Sequence, residues 1–203
     1  MTDMPSPRPR DLCVRCGLPV RTCLCTLVTR VDNQIDVLVL QHPGEAREAK
    51  GSVRLLGLSL SRCRVVVGEA HAQAELLALL GGDVSGNALL YPHDRPDTVA
   101  RSNSVQVRRL VVLDGTWRKS LRMLKANPLL QSLPRYSLTP AEPARYGVLR
   151  KAASASQLST LEATCAALAE LEAAPARYQP LLAAFDAFVA QAAARAPRAR
   201  TLI

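Results

Sequence analysis

The run Leu110-Val-Val-Leu113, broken at once by Asp114-Gly115-Thr116-Trp117, constrains this chain more than any other stretch. An uninterrupted apolar run rich in β-branched residues suits a strand buried on both faces. The segment after the break sets Leu121 and Leu124 on one side and Arg118, Lys119, Arg122 and Lys125 around the rest. That pattern predicts a strand, a tight turn and an amphipathic helix. Asp114 then stands at the carboxyl end of a strand, where open α/β sheets present their chemistry.

The same alternation recurs along the chain. Residues 35–40 read as a strand that runs into Gln41-His42-Pro43-Gly44-Glu45, a turn capping a helix through about residue 60. At this strand end His42 either meets a ligand or hydrogen-bonds its own loop. Residues 64–67 predict a second strand, and residues 71–80 a short helix stopped by Gly81-Gly82. Residues 87–91 form a third strand ended by Pro92, and residues 92–108 are polar and loop-like. The helix after Asp114 closes near Asn127-Pro128, and residues 134–138 form a last short strand before the irregular residues 140–151.

Residues 154–172 carry Leu158, Leu161, Cys165 and Leu168 in one stripe and predict a long helix. Residues 178–194 predict another, with Leu181, Phe185 and Phe188 inward. Cys63 and Cys165 stand in apolar contexts and read as core residues. Strands alternating with helices give an α/β fold with a mostly parallel sheet and flanking helices. No glycine-rich dinucleotide loop or Walker loop is present, which argues against both of those nucleotide-binding classes.

The chain has 203 residues, enough for one substantial core, and aromatics make up only 3% of it, so Leu, Val and Ala must build that core. Its formal charge of +9 favours a polyanionic partner, the alternative being a basic protein that is merely soluble. No apolar run approaches the roughly 20 residues that span a bilayer, and the polar, Pro-rich first ten residues do not resemble a signal peptide. A cytoplasmic location with reduced cysteines is the expectation, and no membrane or protein partner is implied. The chain divides into residues 1–30, a disordered start plus a cysteine-rich knuckle; residues 31–195, the α/β domain; and residues 196–203, a basic tail.

Cys13, Cys16, Cys23 and Cys25 fall in the pattern C-x2-C-x6-C-x-C, with Gly17 directly after the first pair. Two close thiol pairs on one loop suit a tetrahedral S4 site for Zn2+ or iron. Disulfides and free thiols are the competing readings, the first disfavoured by a reducing compartment. Arg15, Arg21 and Arg30 surround the segment, so it serves either as a nucleic-acid contact or as a plain structural knuckle.

Leu113-Asp-Gly-Thr-Trp117 resembles the D-x-T-W signature of the DTW-domain family. The likeness extends through residues 11–172: the C-x-R-C and C-x-C start, Leu90-Tyr91-Pro92, the segment from Arg118 to Pro134, Tyr146-Gly-Val-Leu-Arg150, and Leu158-Ser-Thr-Leu-Glu-Ala163. It departs at Gly51-Ser52-Val53-Arg54, where relatives carry Asn or Thr before a Gly-Arg, which weakens any cofactor role for Ser52 or Arg54. The resemblance implies a tRNA-uridine aminocarboxypropyltransferase. Such an enzyme moves the 3-amino-3-carboxypropyl group of S-adenosylmethionine to N3 of a tRNA uridine, in bacterial members one in the variable loop. It also implies a SPOUT-like sheet with a trefoil knot, whose strands would be those ending at Tyr91, Leu113 and Leu138. Two other readings stand beside it: a SPOUT-type methyltransferase or transfer to another RNA, and a non-catalytic zinc-knuckle RNA-binding protein.

Uridine N3 carries a proton that a carboxylate within hydrogen-bonding distance could remove, and Asp114 is the candidate base. Its alternative role is to cap the following helix, as Asp and Thr commonly do. The resemblance places the cofactor near Tyr91, Pro92, Leu113, Gly115, Thr116 and Trp117. Gly115 would let the backbone approach a ligand, and Trp117 either stacks on a base or fills the core. Ser159, Thr160 and Glu162, at a helix start, either receive the cofactor's carboxylate and ammonium or form a capping box. Arg118, Lys119, Arg122, Arg150 and Lys151 form the expected phosphate-binding cluster, although each singly suits a solvated surface.

Overall fold

The structure is a computed structural model describing residues 11–46, 48, 52–92, 106–138 and 158–195. After a 3-10 turn at Val20–Thr22 come β1 (Asp36–Gln41), α1 (Pro43–Ala46), α2 (Ser52–Ser59), β2 (Cys63–Val67), α3 (Gln73–Leu79) and β3 (Asn87–Leu90). There follow β4 (Arg109–Asp114), α4 (Trp117–Ala126), α5 (Pro128–Gln131), β5 (Arg135–Tyr136), α6 (Thr160–Leu171) and α7 (Pro175–Arg195). The strands form one sheet in the order β2-β1-β4-β3-β5, and every pairing is parallel. All their carboxyl ends therefore meet along one edge.

Strands β1 and β4 occupy the middle and are buried from their second residue onward, which is why both read as near-continuous apolar runs. The register puts Gln41 opposite Asp114, with Val37 and Val39 opposite Leu110 and Val112. These residues share the face that packs on α2, α6 and α7 through Leu55, Leu56, Leu161, Leu168, Tyr178 and Phe185. The other face carries Leu38, Leu40, Leu89, Val111 and Leu113 and packs against α3, α4 and α5 through Leu76, Met123 and Leu130.

Several boundaries differ from the sequence expectation for local reasons. The helix expected through residue 60 is two helices, α1 being one turn with Gly44, a poor helix former, inside it. Asn127 takes a non-helical conformation (φ −125°) and ends α4, and Pro128 then starts α5, a turn not anticipated. Strand β5 is two residues long, because after Tyr136 the Ser137 hydroxyl, in place of a backbone donor, bonds the Tyr91 carbonyl at 3.0 Å. Helix α7 begins three residues before the expected position 178, at Pro175, whose fixed φ suits a first helical position. The Gly81-Gly82 stop is present, with φ of +94° and +80°. Helix α6 starts at Thr160, six residues after the expected position 154, because Ser159 takes an extended conformation and caps it. The expected disordered start, most of the loop 92–108, the irregular residues 140–151, residues 154–157 and the basic tail lie outside the described residues.

At the opposite end of the molecule Glu172 closes α6. Its Oε1 accepts from the Gln34 and Ile35 amides at 2.8 and 2.9 Å, and its Oε2 from Tyr178 Oη at 2.7 Å and from Arg177. One carboxylate thus ties the start of β1 to both α6 and α7. The following residue, Ala173, adopts a left-handed φ of 48°.

Candidate active site

Asp114 is 8% exposed at the carboxyl edge of the sheet. Gln41 Nε2 donates to its Oδ2 at 2.8 Å, and Thr160 Oγ1 donates to its Oδ1 at 2.6 Å. The His42 amide also donates to the Asp114 carbonyl at 2.9 Å, joining the two strand ends. Thr160 is the first residue of α6, so the carboxylate also faces the positive end of a twelve-residue helix dipole. Asp114 is therefore a fixed carboxyl group in a sheltered position. It does not cap α4: that role falls to Thr116, whose Oγ1 accepts from the Lys119 amide.

Above the same edge Trp117, 57% exposed, stacks on the buried Tyr91 ring, with centroids 5.2 Å apart and planes 20° apart. The Arg135 guanidinium lies 4.8 Å from the Tyr91 centroid. Trp117 is thus not a core filler. The structure brings it together with Tyr91, and Leu113 is buried in the same sheet face as Tyr91. Pro92 is exposed just past Tyr91. Gly115 has a packing reason of its own: a Cβ there would come within 3.0 Å of Lys119 Cβ and 3.3 Å of Ser120 Oγ.

Ser159 and Glu162 form a complete capping box, with Ser159 N donating to Glu162 Oε2 at 2.8 Å and Glu162 N donating to Ser159 Oγ at 3.2 Å. The box sets the start of α6 and so aims Thr160 at Asp114.

The basic cluster is more committed than its sequence suggests. Lys119 Nζ pairs with the buried Glu45 at 2.8 Å, and Arg122 with Glu69 at 2.7 Å. Glu69 also receives His42 Nε2 at 3.2 Å, while His42 Nδ1 accepts from the Gly44 amide. His42 therefore hydrogen-bonds its own loop region. Arg118 is exposed, and Arg150 and Lys151 lie outside the described residues.

A second centre lies in the knuckle. The Sγ atoms of Cys13, Cys16, Cys23 and Cys25 all lie within 4.8 Å of one another, with Cys13 to Cys25 at 3.6 Å and Cys16 to Cys23 at 3.7 Å. Disulfide sulfurs stand about 2.05 Å apart, whereas a tetrahedral site with bonds of about 2.3 Å sets its sulfurs about 3.8 Å apart. The donor set therefore fits a metal ion. Amide donors from Cys16 and Arg15 bring the Cys13 thiol down to about 6, whereas desolvation and then its sulfur neighbours push Cys25 up to about 12. Four thiols this close resist a fourth negative charge unless a cation shares it. The knuckle is joined to the domain: Leu18 and Leu24 enter the core, and Arg54 Nη1 donates to the Cys16 carbonyl at 2.6 Å. Arg54 is thereby given a structural task, in keeping with the weak case for it as a cofactor ligand.

Residues 10–193 match the family model described as DTW domain. The chain belongs to the DTW-domain family. Two curated relatives are named tRNA-uridine aminocarboxypropyltransferase 2: one from Drosophila melanogaster, 29% identical over 87% of this chain and 72% of its own length, and one from Mus musculus, 29% identical over 80% and 57%. A third with the same name, from Macaca fascicularis, is 27% identical over the same shares as the mouse protein. The chain thus spans little more than half the length of the two mammalian relatives. No solved structure matches it.

Within this DTW domain, four residues at or near the strand-end edge escaped the sequence reading: Gln41, Glu45, Glu69 and Arg135. Gln41 looked like the first residue of a turn. Its partner lies 73 positions away, and no spacing rule reaches that far. Glu45 was only the end of that turn and Glu69 carried no signal, for their partners Lys119 and Arg122 are equally remote in sequence. Arg135 would have been found only by knowing that β5 lies beside β3.

Proposed function

We propose that this protein transfers the 3-amino-3-carboxypropyl group of S-adenosylmethionine to N3 of a tRNA uridine, giving 3-(3-amino-3-carboxypropyl)uridine. The sulfonium of the donor supplies an activated Cγ. The N3–Cγ bond forms as the S–Cγ bond breaks, 5′-methylthioadenosine leaves, and Asp114 takes the N3 proton. The observation that carries this reading is a buried carboxylate held by Gln41 and Thr160 at the end of the strand that leads into Trp117, in a chain of this family. Orientation is the central requirement, since attack must reach Cγ and not the methyl group, and groups held on strand and helix ends meet it. Trp117 offers its exposed ring to a base, Tyr91 and Arg135 back it, and the exposed Arg118 on α4 meets RNA phosphate.

Two further elements belong to this reading. The knuckle holds a structural zinc ion, which fits its four free thiols and the reducing cytoplasm. The carboxyl ends of β4, β3 and β5, adjacent in the sheet, form the cofactor edge of a SPOUT-like knot. No helix among the described residues is long and apolar enough to cross a membrane.

The test is mass spectrometry of nucleosides from tRNA incubated with the protein and S-adenosylmethionine. A uridine adduct of the aminocarboxypropyl mass is expected, and Asp114→Asn should abolish it while the protein still folds. A methyl adduct would replace this reading with a methyltransferase, and binding without any adduct would leave an RNA-binding protein.

A further inference from the structure

Gln41 is the polar last residue of an otherwise apolar strand interior, and at 8% exposed it sits where a Leu or Met would pack as well. Its amide nitrogen faces Asp114 Oδ2 and donates to it at 2.8 Å. The β1–β4 register sets the two residues side by side, and Thr160 holds the other oxygen from a third element. Separate donors on the two oxygens fix the carboxylate's plane and its rotamer. A cavity of about 280 Å3 lies on the side of Gln41 towards α2 and β2, lined also by Glu45, Arg54 and Val65. Gln41 thus both lines that space and bonds Asp114.

We propose that Gln41 is a positioning residue: it holds the Asp114 carboxylate in one orientation and in its ionised form, ready to accept the uridine proton. This rests on the transferase reading above. Its role is to act through Asp114, with no contact to substrate required.

Gln41→Met keeps the length and bulk of the side chain and removes the donor. Turnover should fall ~10- to 100-fold, the scale of a misplaced catalytic group, with KM for tRNA and for S-adenosylmethionine nearly unchanged. Loss of one charge-assisted donor should also move the protonation midpoint of Asp114, followed by carboxyl carbon NMR, upward by about one pH unit. Gln41→Glu has a different signature. Its carboxyl group donates to Asp114 only while protonated, so activity should persist at the acidic end of the profile and fall as pH rises. Wild-type turnover in Gln41→Met with an unchanged Asp114 midpoint overturns the proposal, as does a wild-type pH profile in Gln41→Glu. If Gln41→Met does not fold, the Gln41→Glu profile and its Asp114 titration decide alone. If the wild-type protein makes no aminocarboxypropyl adduct, the transferase reading fails, while the Asp114 titration in the variant still tests the clamp.

Discussion

Replacing Glu172 with Gln probes the tie between β1, α6 and α7 with almost no change of shape. The side chain is 4% exposed and receives four donors. Gln keeps one carbonyl oxygen for the Gln34 and Ile35 amides, but its NH2 then meets the Arg177 guanidinium, donor against donor. The charge-assisted Arg177 bond, worth about 1.5–3 kcal/mol, is lost, and the two amide bonds weaken to neutral strength. A loss of about 3 kcal/mol follows, at the lower end of the range for breaking a buried pair. For a chain of this size that lowers Tm by about 6–12 °C, measured on metal-loaded protein by calorimetry at pH 7.

The pH dependence supplies a second reading of the same variant. Burial alone would raise the Glu172 carboxyl, but the Ile35 amide, the Tyr178 hydroxyl, the Gln34 amide and Arg177 outweigh it and hold it below its usual 4.5. A depressed folded-state value means the contribution is fully present above the unfolded value and is lost as pH falls through the folded one. The gap between wild type and Glu172→Gln should therefore be constant near neutrality and close below pH 4.5. A Tm difference under about 2 °C at pH 7, less than one kcal/mol, or a gap that does not narrow in acid, would refute the reasoning.

Ala173→Gly should stabilise the protein by about 0.5–1 kcal/mol, because Ala173 holds a left-handed φ that glycine adopts freely; a Tm gain of about 2–3 °C is the expected readout. Arg118→Ala should reduce the slope of log affinity for tRNA against log salt by about one contact. Lys119→Ala should instead lower Tm while leaving that slope nearly intact, since Lys119 is paired with the buried Glu45; equal slopes for both variants would contradict the assignment. Elemental analysis should find about one zinc per chain, absent from the Cys13→Ser, Cys16→Ser double variant, and iron or no metal in the wild type would rule zinc out.

What the sequence revealed follows from how far each physical cause extends. Strands β1 and β4 were legible because burial on both faces leaves an unbroken apolar run, and the stop at Gly81-Gly82 because left-handed φ selects glycine. The start of α6 was legible as a capping box, since Ser159 and Glu162 bond across one turn. The two-residue β5 was overestimated, since its length depends on what β3 offers as a partner. The cysteine set was visible through spacing, whereas its seat on α2 through Arg54 and Leu24 was not. Asp114 showed the same division. Its place at a strand end was readable locally, but its partners Gln41 and Thr160 are 73 and 46 residues away and only the fold brings them together.

The pairing of Trp117 with Tyr91 gives the protein its own optical probe. The chain holds one tryptophan, so emission excited at the red edge, where tyrosine is dark, comes from a single ring at the candidate site. Its stacked contact and half-open surroundings set that emission, and a base or adenine ring settling on the open side would change it. Ligand occupancy, order of addition and release rates can then be followed in unlabelled wild-type protein by stopped-flow, with Trp117→Phe as the dark control.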